Sequence, residues 1–166
     1  MANEWTLLVY KLPSHPSRLR LAVWRRLQAL GCLYLQDGVC VLPRRDDLFE
    51  NLQYVATQIM EGEGTFHLLS SVATEEESAK LIRRFRAVAD ERMSAALVRL
   101  AELEAKLSDI GPLTDFERAE DELRRERVGF LRARRLNYFG SDSEKEVEAA
   151  LDRVRTGLDL LARGNK

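Results

Sequence analysis

Cysteine and histidine are nearly absent from this 166-residue chain: Cys32, Cys40, His15 and His67 are all there are. The histidines stand far apart, with no Cys, Asp or Glu spacing that suggests a ligand set, so no metal site is expected. No glycine-rich phosphate loop and no nucleophile elbow occur either, and no cofactor or catalytic residue is assigned. No apolar run approaches the roughly 18 residues of a membrane span. The start, MANEWTLLVYKLP, lacks a basic stretch ahead of a long apolar core. A cytoplasmic protein without signal peptide or membrane partner is therefore expected. Charge of one sign is missing too: the formal net charge of −1 excludes a broad electrostatic footprint for nucleic acid and leaves only local basic faces.

What the chain does have is a regular alternation of short apolar runs and amphipathic helices over its first 72 residues. Residues 6–11 are apolar on both faces and read as a strand. Ser14 or Ser17 can cap the helix that follows, with Pro16 near its first turn. Leu19, Val23, Leu27 and Leu30 recur at helical spacing, Ala22 and Trp24 widen the stripe, and Gly31 stops it. Residues 32–36 and 39–42 flank Asp37-Gly38, the signature of a two-residue hairpin turn. Residues 46–60 place Leu48, Leu52, Val55 and Ile59 on one side of a second helix; Glu61-Gly62-Glu63-Gly64 breaks it, and residues 65–72 read as a last strand. This β-α-β-β-α-β order predicts an α+β fold, a ferredoxin-like domain over residues 1–73 with both helices on one face of an antiparallel four-stranded sheet.

The hairpin fixes further expectations. A plain two-residue turn puts Leu35 opposite Cys40 and Leu33 opposite Leu42. Cys32 and Cys40 then point to opposite faces, so they are expected as buried free thiols rather than a bridge. One face would carry Leu33, Leu35, Cys40 and Leu42. The other would carry Cys32, Tyr34, Val39 and Val41, too apolar to stay open, so the helical tail or a second subunit should cover it.

Residues 74–166 read as a helical region of three helices. Thr74-Glu75-Glu76-Glu77 is an N-terminal capping pattern. Leu81, Phe85, Val88, Met93, Ala96, Leu100, Leu103 and Leu107 then follow near-heptad spacing until Gly111-Pro112. That first helix, about 50 Å long at the usual rise, exceeds what a small sheet can cover and must pack on the other helices or on a partner chain. Thr114 or Asp115 caps a second helix reaching about Tyr138, with Glu120–Arg124 and Asp121–Arg125 as i,i+4 ion pairs. Beyond Gly140-Ser141-Asp142, Val147, Leu151, Val154, Leu158 and Leu161 define the last helix, giving an antiparallel bundle or a hairpin plus one.

The basic residues cluster. Residues 1–73 hold one Lys and six Arg against seven acids, and the arginines are Arg18, Arg20, Arg25, Arg26, Arg44 and Arg45. Forked guanidinium donors suit phosphates and tetrahedral oxyanions, and the 14–17 turn opens a helix N-terminus where an anion could bind. These six are the candidate DNA- or anion-binding residues; a solvated helix face with surface ion pairs accounts for the same pattern. A second group, Arg132, Arg134 and Arg135 before Asn137-Tyr138-Phe139-Gly140, could contact phosphates and bases, or simply complement a helix dipole. His67, read in an interior strand, is expected in the core or at an interface.

The strand ending Tyr10-Lys11-Leu12-Pro13, the helix Ser17-Arg18-Leu19-Arg20 through Trp24-Arg25-Arg26, and Leu35-Gln36-Asp37-Gly38-Val39 resemble the amino-terminal domain of the chromate-resistance regulators, ChrB. Phe130-Leu131 to Phe139-Gly140 fits as well, so the resemblance spans nearly the whole chain. It implies a non-enzymatic transcriptional regulator linked to chromate or oxyanion resistance. The implied partners are promoter DNA, an oxyanion effector, a second copy of the chain, and a separate carboxy-terminal sensor domain. The first 72 residues more distantly resemble the module of the phenylacetate-degradation repressors, which carry a winged helix ahead of it, and of the small CRISPR-associated nucleases. Those nucleases hold a divalent metal with an Asp at the end of the first strand, where Lys11 stands here, so metal-dependent nuclease activity is not expected. The remaining alternative is an interaction and dimerisation module that does not touch DNA.

Overall fold

The computed structural model describes residues 4–15, 17–110 and 113–164. The expected roles of Pro16 and of Gly111-Pro112 at helix ends lie outside the described residues. The fold is α+β, with a four-stranded antiparallel sheet and, among the described residues, five α-helices. The chain divides into two compact units, Met1–Arg84 and Phe85–Lys166.

In the first unit the elements are β1 (Glu4–Lys11), α1 (Ser17–Ala29), β2 (Leu33–Gln36), β3 (Val39–Pro43), α2 (Asp46–Glu61), β4 (Thr65–Val72) and the start of α3 (Glu75–Lys106). The strands lie in the order β2-β3-β1-β4. β1 is apolar on both faces because it is an interior strand covered on both. Ladder pairing puts Thr6, Leu8 and Tyr10 on one face with Leu42, Cys40, Phe66 and Leu68, and Trp5, Leu7 and Val9 on the other with Val41, His67 and Leu69. α2 packs on β1 and β4. On β4, Phe66 and Leu68 are half-buried while His67 and Leu69 are exposed, so α2 covers the Thr6–Leu8 face. Its buried Leu48, Leu52, Val55 and Ile59 are the residues that the periodicity marked.

The opposite face is partly covered by the first turns of α3, where Trp5 Nε1 donates a 3.0 Å hydrogen bond to the buried Ser78 Oγ. Thr74 caps this helix as its sequence predicts, its Oγ1 accepting from the Glu77 N–H at 3.2 Å.

The hairpin departs from the expected register. Asp37-Gly38 does form the turn, and Gly38 adopts φ +72° with the Tyr10 carbonyl so close that a Cβ would sit 2.3 Å from it. Gln36 pairs with Val39, but the next pair is Tyr34 with Cys40, leaving Leu35 as a bulge. One extra residue reverses the facing of everything before it. Tyr34 therefore shares a face with Cys40, Leu33 shares one with Val41, and the alternation brings Cys32 to the side of Cys40 rather than the opposite one. Leu35, expected on one face with Cys40 and Leu42, is exposed while those two are buried.

The second unit holds the rest of α3, a 3-10 turn at Leu107–Asp109, α4 (Leu113–Arg135) and α5 (Glu144–Gly164). Met93, Ala96, Leu100 and Leu103 of α3 pack with Ala119 and Phe130 of α4 and with Val147, Val154 and Leu158 of α5. α4 begins at Leu113, so Thr114 and Asp115 lie inside its first turn instead of capping it. It stops three residues short of Tyr138, because Leu136 N–H bonds the Ala133 carbonyl at 3.1 Å and tightens the end. The expected i,i+4 ion pairs are replaced by an i,i+3 pair, Arg124–Asp121 at 3.4 Å. Among the described residues no helix is long and apolar enough to cross a membrane.

Candidate functional site

α1 leaves most of its surface open. Only Val23 and Leu27 are buried; Ala22 and Trp24, expected to widen the apolar stripe, are exposed. Trp24 is 50% and Leu21 46% exposed, unusual for side chains of that size. Helical spacing sets Arg18, Leu21 and Arg25 in one row and Arg20 and Trp24 in the next. No acid lies in the first turn. Among the described residues no ion pair reaches Arg18, Arg20 or Arg25, whose charges therefore face solvent.

The other three candidate arginines are engaged. The Arg26 guanidinium carbon sits 4.3 Å from the centroid of the half-exposed Tyr54 ring on α2. Arg44 lies 5.0 Å from the Phe49 ring and donates to Ser70 Oγ. Arg45 grips Asp47 with both a 3.1 Å Nε bond and a 3.1 Å Nη2 bond. Position separates them further. Arg44 bonds the Glu4 carbonyl at the beginning of β1, whereas Arg18 and Arg20 lie in the first turns of α1, which starts beyond the other end of that strand. The six arginines are thus not one cluster: α1 carries the open ones, and Arg44 and Arg45 organise the entry to α2.

The shared face of the hairpin gathers a second polar group. Tyr10 and Tyr34 join hydroxyl to hydroxyl at 3.0 Å. The Cys32 thiol is pushed far above its ordinary value, first by a hydrogen bond with Cys40 and then by burial. Burial, followed by the bond to Tyr10, raises Tyr34 as well. Protonated thiols are poor nucleophiles and poor metal ligands. Among the described residues no three His, Cys, Asp or Glu side chains converge as a metal set. Lys11, at the end of β1, is exposed.

In the second unit Arg134 and the two rings are used structurally, while Arg132 and Arg135 are exposed, with no ion pair among the described residues. Arg134 bonds Glu144 at 2.8 Å and Glu148 at 2.7 Å. The Tyr138 and Phe139 rings lie 6.0 and 5.5 Å from the buried Phe85 ring, and Arg86 Nε donates to the Phe139 carbonyl. A groove of about 480 Å³ between α4 and α5, not signalled by any sequence motif, is lined by Arg124, Arg127, Arg134 and Arg155 but also by Glu120, Glu148, Asp152 and Asp159. Its balanced charge favours neither anion nor cation. Sequence reading also missed the exposed Leu21–Trp24 surface, because Trp24 directly follows Val23 and reads as part of its apolar stripe.

Comparison with known proteins bears on the whole chain. Protein ChrB of Cupriavidus metallidurans is 28% identical over 161 residues, which cover 96% of this chain and 48% of that protein. The chain thus spans about half the length of the curated relative it matches. No solved structure matches. The family described as Protein ChrB, N-terminal, matches residues 20–163, a stretch that takes in most of α1, the hairpin and the Phe130–Gly140 segment. On that coverage, the chain belongs to the family of the ChrB amino-terminal region.

Proposed function

We propose that this chain is the DNA-contacting and dimerising part of a non-enzymatic, cytoplasmic transcriptional regulator of chromate resistance. Its domains are a ferredoxin-like module over residues 1–73 and a three-helix region over residues 74–166. The observation that carries the reading is the set of open arginines on α1: Arg18, Arg20 and Arg25 hold three exposed charges that no carboxylate among the described residues neutralises, on a helix that buries only Val23 and Leu27. Phosphate contacts of this kind give affinity that depends on salt, with loss of condensed counterions as the driving term. Arg26 on Tyr54 supplies a fourth donor at the same helix, held in place by the ring. An oxyanion effector and a separate sensor domain complete the regulator.

The test is a gel shift at low salt with the DNA upstream of the chain's own gene. Binding by the native chain, weakened by Arg25→Ala with Arg26→Ala, supports the reading; no shift at 50 mM salt sinks its DNA part. A second reading, a protein-interaction module, has its own observation: Leu21 and Trp24 are large apolar side chains among the arginines, a mix that is also enriched at protein interfaces. Under that reading a pull-down recovers a protein partner, and loss of Trp24 abolishes it without changing any DNA affinity.

A further inference from the structure

The sheet has two edges, and only one is protected. β2 is four residues long and bulged at Leu35. Its Tyr34 carbonyl is taken by Arg84 Nη2 at 2.7 Å. Shortness, a bulge and a covering cation are the devices that keep an edge strand from recruiting another chain. β4 is neither short nor bulged, and the cation on it, Arg44, bonds the Ser70 side chain rather than a backbone carbonyl of the strand. It is eight residues long and pairs with β1 through eight consecutive partners without a register shift. Its sequence, TFHLLSSV, contains no charged residue and no proline. β1 is its one strand neighbour among the described residues, so about half of its backbone N–H and C=O groups point to an open edge.

We propose that β4 pairs antiparallel with β4 of a second copy, joining two four-stranded sheets into one of eight strands across a two-fold axis. Three features favour a second copy over a foreign strand. Antiparallel pairing of a strand with itself is closed by a two-fold axis, so it ends at two copies and does not propagate. A strand with no charge meets no like-charge repulsion from its own copy, whereas charged edge strands repel theirs. Pairing about the strand centre also keeps like faces together. It sets the exposed His67 and Leu69 of one copy beside those of the other, on the face that α2 leaves open, and covers Leu69, now 49% exposed. His67 then finds the interface that its sequence suggested, at an edge rather than in an interior strand. The inference deepens the two-copy part of the reading above and rests on it for the existence of a dimer, but it does not require DNA binding.

Sedimentation velocity of the full chain from 1 to 100 µM tests it. The native chain is expected to dimerise, and Leu69→Lys, which places two cations near the two-fold axis, to weaken the dimer at least tenfold with an unchanged far-UV spectrum. Hydrogen exchange of the native chain gives a second reading free of any mutant: amides of β4 should become slower to exchange as concentration rises, and those of β2 should not. A native monomer at 100 µM overturns both the interface and the dimer, and leaves the edge to some other strand. A dimer that Leu69→Lys leaves at native affinity, or β4 exchange that ignores concentration, overturns the interface alone.

Discussion

Two segments of this molecule share one composition and use it in opposite ways. α1 sets Arg18, Arg20 and Arg25 around Trp24, and the end of α4 sets Arg132, Arg134 and Arg135 before Tyr138 and Phe139. At the end of α4 one arginine and both rings are consumed: Arg134 is bound to two glutamates of α5, and both rings lie against Phe85, while Arg132 and Arg135 are exposed. At α1, Arg18, Arg20 and Arg25 have no ion pair among the described residues and the indole is half in water. Basic and aromatic residues in sequence therefore do not define a binding surface by themselves. What decides is whether the rest of the fold offers carboxylates and rings to meet them. α5 begins with acids at Glu144 and Glu146 and places Glu148 one turn on, while among the described residues no carboxylate pairs with the arginines in the first turns of α1.

Substitution should break the comparison most visibly at the aromatics. Phe85→Ala removes the buried ring on which Tyr138 and Phe139 rest and should cost about 3–5 kcal/mol in urea unfolding. Trp24→Ala, at an exposed site, should cost well under that, on the order of 0.5 kcal/mol. Equal losses at the two positions would mean that Trp24 is packed and that α1 is no more open than α4.

Alkaline pH separates the buried hairpin face from the solvent-facing α1. Cys32, Tyr10 and Tyr34 have folded pKa values raised above their ordinary ones. Below the ordinary thiol value of 9.0 both folded and unfolded chains hold the proton, and the stabilisation is fully present. Above it the unfolded chain releases protons that the folded chain keeps, so stability should fall, by up to about 1.4 kcal/mol per pH unit for each group in that window. Urea midpoints from pH 8 to 10.5 check this, and Cys32→Ala should flatten the decline. A flat profile in the native chain would place these groups in water. Thiol reagents should leave both cysteines unmodified at pH 8 until the chain is unfolded.

The smallest effect lies in the ion pairs. Arg134→Ala should lower stability by about 1 kcal/mol or less, since its partners are partly exposed. Arg18→Ala should leave stability unchanged, because no ion pair among the described residues is lost. A larger loss from Arg18→Ala than from Arg134→Ala would reverse the contrast.

Much of this was legible from residue spacing. Leu48, Leu52, Val55 and Ile59 on α2, and Met93 through Leu103 on α3, keep one strict period and bury one stripe, so position alone reveals them. The Asp37-Gly38 turn and the Thr74 cap were legible because each depends on a local backbone geometry that few residues satisfy. The bulge at Leu35 was not. An extra residue leaves the alternation intact on either side, and it changes the facing of Cys32 and Tyr34 without any local mark. For the candidate site, sequence located all six arginines but could not divide them. The pairing of Arg45 with Asp47 is local, yet Arg44 reaches Ser70 and Arg26 reaches Tyr54 across 26 and 28 positions of chain. The edge position of β4 depends likewise on strand order, which placed His67 outside where sequence put it in an interior strand.

The most direct measurement is the salt dependence of binding to the DNA upstream of the chain's own gene, followed by fluorescence anisotropy between 50 and 200 mM salt. Three chains are compared: native, Arg18→Ala/Arg20→Ala/Arg25→Ala, and Arg132→Ala/Arg135→Ala. The account predicts that the α1 triple variant reduces the slope of log affinity against log salt by about 2–3, close to one per phosphate contact removed, and that the α4 double variant keeps the native slope. Equal slopes for native and triple variant, or a loss confined to the α4 variant, would contradict it.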